Sequence, residues 1–324
     1  MIKVLLPKII GACQYHRCLL PYQNKSGIEL FYDDLQANTG DIVISHYSNI
    51  DSETILKLQF NGIKVILDID DWWQLPFTHI AYKQSLLYES DIIECIKEAD
   101  YITTTTEILA EKIRVLNPNC EVFPNALNAD LCKIENIQNK KFRIGYMGGN
   151  THIYDVKLLS GMYKKLLPYK DKIEFVIFGF PHSKTGKEYD IFRAYVNTIS
   201  GHRELRIYKE KTSDVFNYLD LYNKCDMFIA PLVNDEFNRC KSELKIVEAG
   251  WFYKVIASSD MSAYNKVIEH KKTGYLCKNA NDFAKAIIYQ FENRLTVGEN
   301  LYEFVNQNFN LDTIRQKRFE FLEL

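Results

Sequence analysis

The sequence predicts an α/β protein built from two doubly wound domains, on three grounds. Short apolar strands alternate with helical stretches along the chain, the order expected when helices cover both faces of a parallel sheet. Several strands are continuous Ile/Val/Leu/Phe runs rather than alternating ones, as strands buried on both faces require. The chain has 324 residues, about twice a typical domain.

The expected strands lie at 2–6, 28–32, 42–46, 64–68, 101–104 and 121–123, then at 142–147, 173–178, 205–208, 226–230 and 255–257. Helical stretches fall between them, among them 51–61, 106–116, 155–167, 213–223, 242–252 and 281–293. The alternation pauses where Asn, Lys, Asp and Gln crowd into 128–141, so the boundary is placed there. This gives a first domain over 1–127 and a second over 128–309, with a helix at 310–324 able to pack back on the first. After about residue 280 no strand is expected.

Hydrophobic residues make up 47% and charged residues 25%, a soluble globular balance, and the net charge of -2 offers no general attraction to DNA or an anionic membrane. Cysteines 13, 18, 95, 120, 132, 225, 240 and 277 never form a C-x-x-C pair, so reduced thiols in a cytosol are expected. Met1 to Pro7 reads as a first strand rather than a signal peptide, and no apolar run approaches 18 residues. A soluble, cytoplasmic protein follows from these.

In a doubly wound sheet, ligands bind beyond the carboxyl ends of the strands. The residues there are therefore the candidates. After the first strand, Gly11 would permit a tight turn and Arg17 offers a fork for phosphate. His46 follows the third strand. After the fourth come Asp68, Asp70 and Asp71 with Trp72 and Trp73. Sugar hydroxyls suit that mix of carboxylate and aromatic face better than a metal does, and no metal site is expected. In the second half, Gly148 and Gly149 form a loop where backbone can approach a phosphate, with His152 as a donor beside it. Gly179 ends a later strand. Last comes Lys241-Ser242-Glu243-Leu244-Lys245-Ile246-Val247-Glu248. Read as a helix, it sets Lys241, Lys245 and Glu248 on one face, with Ser242 as N-cap and the amides of Glu243 and Leu244 at the positive end of the dipole. A diphosphate at the amides and a ribose diol at the carboxylate fit this layout. So does a capped amphipathic helix with a solvated face.

In this order the motifs resemble the family-4 glycosyltransferases of the GT-B fold, over nearly the whole chain. Val65 to Asp71, Ala99 to Glu107 and Val122 to Asn125 carry the likeness in the first half. The Gly148-Gly149 loop, Phe178-Gly179, Asp226 to Leu232, Glu248 to Ser259 and Lys272 to Leu276 carry it in the second. The resemblance implies two Rossmann-like domains facing each other across a cleft. It also implies transfer of a sugar from a nucleoside diphosphate donor with retention of configuration, without a metal or other cofactor, and with a uridine diphosphate sugar as the default donor. It places Glu248 on the donor ribose and the amides near Glu243 and Leu244 on the diphosphate, with Lys241, Lys245 and Arg17 stabilising the leaving group. No general base is named. The chain departs from the family at Cys240, where a carboxylate is usual, and in placing Asp70-Asp71 where a histidine is frequent, with His46 as another candidate.

Two other readings stay open: a nucleotide-sugar epimerase of the same fold, and a non-catalytic sugar-nucleotide or glycan-binding protein. A Rossmann dehydrogenase is disfavoured, since no G-x-G-x-x-G follows the first strand. The acceptor is open among a glycan, a lipid-linked sugar, a protein and a modified DNA base.

Overall fold

A computed structural model of the protein describes residues 1–32, 36–211 and 213–322. The chain divides into two compact units, the first of residues 1–126, 239–242 and 311–324, the second of residues 127–238 and 243–310. Residues 323 and 324, which close the expected terminal helix, lie outside the described residues, as does 212.

The first unit holds one parallel sheet of β1 (Ile2–Leu6), β2 (Ile28–Tyr32), β3 (Ile42–His46), β4 (Lys64–Ile69), β5 (Tyr101–Thr104) and β6 (Cys120–Val122), in the order β2-β1-β3-β4-β5-β6. The second holds β7 (Phe142–Met147), β8 (Ile173–Phe180), β9 (Ile207–Lys211), β10 (Met227–Ala230), β11 (Val255–Ser259) and β12 (Tyr275–Cys277), in the order β12-β11-β10-β7-β8-β9. Its strands are also parallel. Strand order reverses between β1 and β3 in one sheet and between β7 and β10 in the other. These are the points where loops part to opposite faces and leave room for a ligand.

Burial explains why the long apolar runs became strands. All five residues of β1 and of β11 are buried. Helices cover the sheets with apolar stripes: Leu109, Ala110 and Ile113 on Glu107–Arg114, and Phe192, Tyr195, Val196 and Ile199 on Lys187–Ser200.

Several expected elements come out differently. The stretch 155–167 is not one helix. Gly161 takes φ +83° and separates Ile153–Lys157 from Met162–Leu166, because a left-handed residue cannot continue a right-handed helix. The 213–223 stretch is instead a 3₁₀ segment, Tyr218–Lys224. β12 was not foreseen. It is three residues long, and its strand identity comes from pairing with β11, which periodicity cannot report. The 239–242 segment, expected in the second domain, belongs to the first unit. There Thr106 Oγ1 donates to Cys240 O and Asn125 Nδ2 donates to Ser242 Oγ.

The carboxyl ends of the first sheet are tied together by Arg17. It lies on a widened π-type turn, Tyr15–Leu19, and is 1% exposed. Its Nε and Nη2 donate to the two oxygens of Asp68 at 2.8 and 2.9 Å, Nη2 also to Thr104 O at 3.1 Å, and Nη1 to Phe123 O at 2.6 Å and Asn125 Oδ1 at 3.3 Å. Asp68, 0% exposed, also accepts from Thr103 Oγ1 at 2.6 Å, and Arg318 approaches it to 3.9 Å from the helix Leu311–Phe321. That helix is anchored again by Arg315, whose guanidinium donates to Leu20 O and Pro21 O.

Removing one partner from such a pair leaves a buried charge uncompensated. Asp68→Ala should destabilise the first unit by about 3–5 kcal/mol. The measurement is chemical denaturation followed by tryptophan fluorescence, since Trp72 and Trp73 are buried in this unit. A loss below about 1 kcal/mol would mean that the pair is no stronger than a surface one.

Candidate functional site

Two clusters of polar side chains lie at the strand ends singled out by the topology, one in each unit. In the second unit, β7 runs into Gly148 and Gly149 and then the turn Asn150–His152. His152 Nδ1 sits 2.6 Å from Asp155 Oδ2. The other oxygen of Asp155 accepts from the Val233 amide at 2.7 Å and from Asn238 Nδ2 at 3.0 Å. Asp155 therefore clamps the loop after β7 to the loop after β10, across the switch point. Tyr195 OH donates to Gly149 O at 2.9 Å. Gly179 takes φ +89° with Gly148 O close by, a place where a side chain would be strained.

On the same unit the helix Leu244–Trp251 carries Glu248, 3% exposed. Tyr218 OH donates to Glu248 Oε1, and Tyr222 OH donates to Oε2 at 2.6 Å. Burial pushes the Glu248 carboxyl above its ordinary range, against the two phenol hydrogen bonds and the charge of Lys245. Tyr222 is buried and Tyr218 is half-buried.

In the first unit, His46 ends β3 and is 2% exposed. Its Nε2 lies 2.9 Å from Asp70 Oδ1 and its Nδ1 lies 2.7 Å from Ser48 Oγ. The parallel register sets His46 opposite Asp68, and Asp70 stands just past the end of β4. The sulfur of Cys13, on the short turn after β1, lies within 4.8 Å of the ligand atoms of His46 and Asp70. Asp71 points instead to Lys241, whose Nζ is 3.2 Å from Oδ2. Adjacent carboxyls are thus pushed apart. Burial raises Asp70, but His46, Cys13 and Arg17 outweigh it and hold it well below the usual range. Burial raises Asp71, and Asp70 adds to this against Lys241.

Several sequence expectations need correction. The helix starts at Leu244, with Glu243 as an N-cap that makes no side-chain cap hydrogen bond. Ser242 is not the cap, because its hydroxyl serves Asn125. Lys241 precedes the helix and belongs to the first unit, so it does not share a face with Lys245 and Glu248. Arg17 is no phosphate fork, since Asp68, Asn125 and two carbonyls occupy its donors. Gly11 is extended, at φ -86°, rather than in a turn only glycine can make. Trp72 and Trp73 are buried and offer no sugar platform. His46 and Asp71 share one cluster. Gly148, Gly149, Gly179 and His152 share another, and Glu243, Leu244, Lys245 and Glu248 lie on one helix and its cap.

Sequence reading missed Asp155, Asn238, Tyr218, Tyr222 and Cys13. Tyr218 and Tyr222 carried no local signal, because in the 3₁₀ segment that holds them residues four apart are turned about 120° from one another.

A family model described as glycosyl transferases group 1 matches residues 141–293. No curated protein matches the chain. Among solved structures, HepE from Anabaena, in complex with UDP, is similar with a TM-score of 0.71 at 11% identity, over 100% of both chains. A glycosyltransferase from Rickettsia africae is similar with a TM-score of 0.66 at 14% identity, over 99% of this chain and 97% of that one. A TarM variant from S. aureus, in complex with Fondaparinux, alpha-GlcNAc-glycerol and UDP, gives 0.64 at 15% identity, over 88% of this chain and 56% of that one. This chain thus spans little more than half the length of TarM. At 11–15% identity these likenesses show the fold, and the family model covers residues 141–293 of the chain. No helix among the described residues is long and apolar enough to cross a membrane.

The His46–Asp70 pair has a pH signature. The Asp70 carboxyl is depressed, so its ionised form is favoured in the folded state. That contribution is complete above its unfolded pKa of about 4 and fades as pH falls through the lower folded value. Asp70→Asn removes it. The stability gap between wild type and variant should therefore be widest near neutral pH and close in acid below about pH 4; parallel denaturation midpoints at all pH values would contradict the pairing.

Proposed function

We propose that the chain is a retaining glycosyltransferase that moves a sugar from a nucleoside diphosphate sugar to a hydroxyl acceptor, most simply from a uridine diphosphate sugar. The observation that carries this is the buried Glu248 on the helix Leu244–Trp251, within the segment that matches the glycosyltransferase model. A buried carboxylate that accepts from two neutral hydroxyls can exchange one of them for a sugar hydroxyl, which suits a ribose diol. Two of the structural neighbours carry UDP, which supports the choice of donor.

In this reading the second unit binds the donor. Glu248 accepts from the ribose hydroxyls. The amides of Glu243 and Leu244 and the ammonium of Lys245 meet the diphosphate at the positive end of the helix. Gly148 and Gly149 let the backbone approach it, Gly179 leaves space beside Gly148, and His152, held by Asp155, donates to it. Departure of the diphosphate is stabilised by these fixed dipoles and charges, and the departing phosphate oxygen takes the acceptor's proton on the same sugar face. No metal ion is needed at that bond. On the first unit, His46, Asp71 and Lys241 are the acceptor-side groups. Arg17 is a positioning residue, acting through Asp68 and the strand ends. The location proposed is the cytoplasm, where the eight free cysteines are stable as thiols.

The test is release of free diphosphate from a panel of nucleoside diphosphate sugars. Glu248→Ala should lose donor affinity by roughly 10- to 100-fold, the worth of hydrogen bonds to a charged group. Unchanged affinity would remove the ribose assignment. Tyr218→Phe probes the same carboxylate from the other side. It deletes the hydroxyl that competes for Oε1, so donor binding should tighten a few-fold in calorimetry; weakened binding would make Tyr218 part of the donor site instead.

A further inference from the structure

We propose that Cys13, His46 and Asp70 form a binding site for a Zn²⁺ ion. The sulfur of Cys13, a ring nitrogen of His46 and a carboxylate oxygen of Asp70 all lie within 4.8 Å of one another. Three strand ends bring them together. Cys13 follows β1, His46 closes β3 and Asp70 follows β4, and these strands are neighbours in the sheet. Zinc bonds of about 2.0–2.3 Å place tetrahedral donor atoms roughly 3–4 Å apart. A zinc ion would enter by parting the His46 Nε2–Asp70 Oδ1 hydrogen bond slightly and drawing in the Cys13 sulfur. Cys13 is exposed on a three-residue turn, while His46 and Asp70 are already fixed at 2.9 Å.

The donor set selects the metal. Thiolate, imidazole and carboxylate together favour zinc over magnesium or calcium, which take oxygen ligands. Charge also balances: the thiolate and the carboxylate neutralise the dication, and the thiol proton leaves to solvent. Three protein ligands leave a fourth position for water.

As the ring stands, Nδ1 accepts from the Ser48 amide at 3.3 Å and Nε2 faces Asp70 Oδ1, so a metal on Nε2 requires the ring proton to move to Nδ1. With Nε2 on the metal, the ring proton sits on Nδ1, facing Ser48 Oγ at 2.7 Å. Ser48 can accept that proton while donating to Asn49 Oδ1 at 3.1 Å, and Gln14 Nε2 holds Ser48 from the other side at 2.9 Å. Such an outer hydrogen bond is what orients a metal-bound histidine. The assignment is independent of the donor reading, since all these groups lie in the first unit.

Cobalt is the probe. The full-length, reduced, metal-stripped protein is titrated with Co²⁺, and the thiolate-to-cobalt charge-transfer band in the near ultraviolet is followed. One equivalent should saturate the band, and Zn²⁺ should displace it. Cys13→Ser should abolish the band and Asp70→Asn should weaken binding, with circular dichroism showing both variants folded. Ser48→Ala should weaken binding by roughly 10-fold. Absence of the band in folded wild type overturns the proposal. So does a band that survives in Cys13→Ser, because another cysteine would then be the ligand.

Discussion

The buried pair between Arg17 and Asp68 is the constraint on which the first unit's site depends. Five donor contacts from one guanidinium reach the ends of β4 and β5 and the loop after β6. Neither partner could remain there alone, because an unpaired ion in a low-dielectric interior costs far more than the fold can supply. With Asp68 held in this way, β4 ends at a defined height. Asp70 then falls opposite His46, and Asp71 turns toward Lys241. The polar cluster at the strand ends is a consequence of a salt bridge one layer beneath it.

The second unit solves a similar problem with neutral groups. Glu248 is buried like Asp68, but phenols rather than a guanidinium donate to it. Hydroxyl donors stabilise the carboxylate less than a full positive charge does, and the carboxyl stays raised as a result. A neutral donor is also easier to exchange for a sugar hydroxyl than an ion-pair partner is. That difference suits Asp68 to a structural role and Glu248 to a ligand.

The adjacent acids Asp70 and Asp71 show how one sequence step can separate two chemistries. Successive residues at a strand end point apart, so one meets an imidazole and a thiol while the other meets an ammonium. Burial lifts Asp71, and the negative charge held on Asp70 adds to it. A cysteine, a histidine and a carboxylate left facing one another can then take up a soft dication.

Much of the fold was legible in the sequence because it rests on local pattern. Strand runs such as 2–6, 42–46 and 142–147 and the pause near residue 128 needed only hydrophobicity and spacing. The short β12 was hidden, since three residues carry no period and only β11 makes them a strand. The candidate loops after β1, β3, β4 and β7 were legible too, because strand ends are where a doubly wound sheet keeps its ligands. What each side chain does there was not. Arg17 reads as an exposed phosphate fork until its distant partners Asp68, Thr104, Phe123 and Asn125 are placed around it. Lys241 and Glu248 look like one helix face until the helix is seen to start at Leu244. Sequence by itself determined the two α/β halves and the segments from which a site could be built. Tertiary structure alone decided which charges are buried and paired, because that depends on contacts between residues 51 to 170 positions apart, and no local period encodes them.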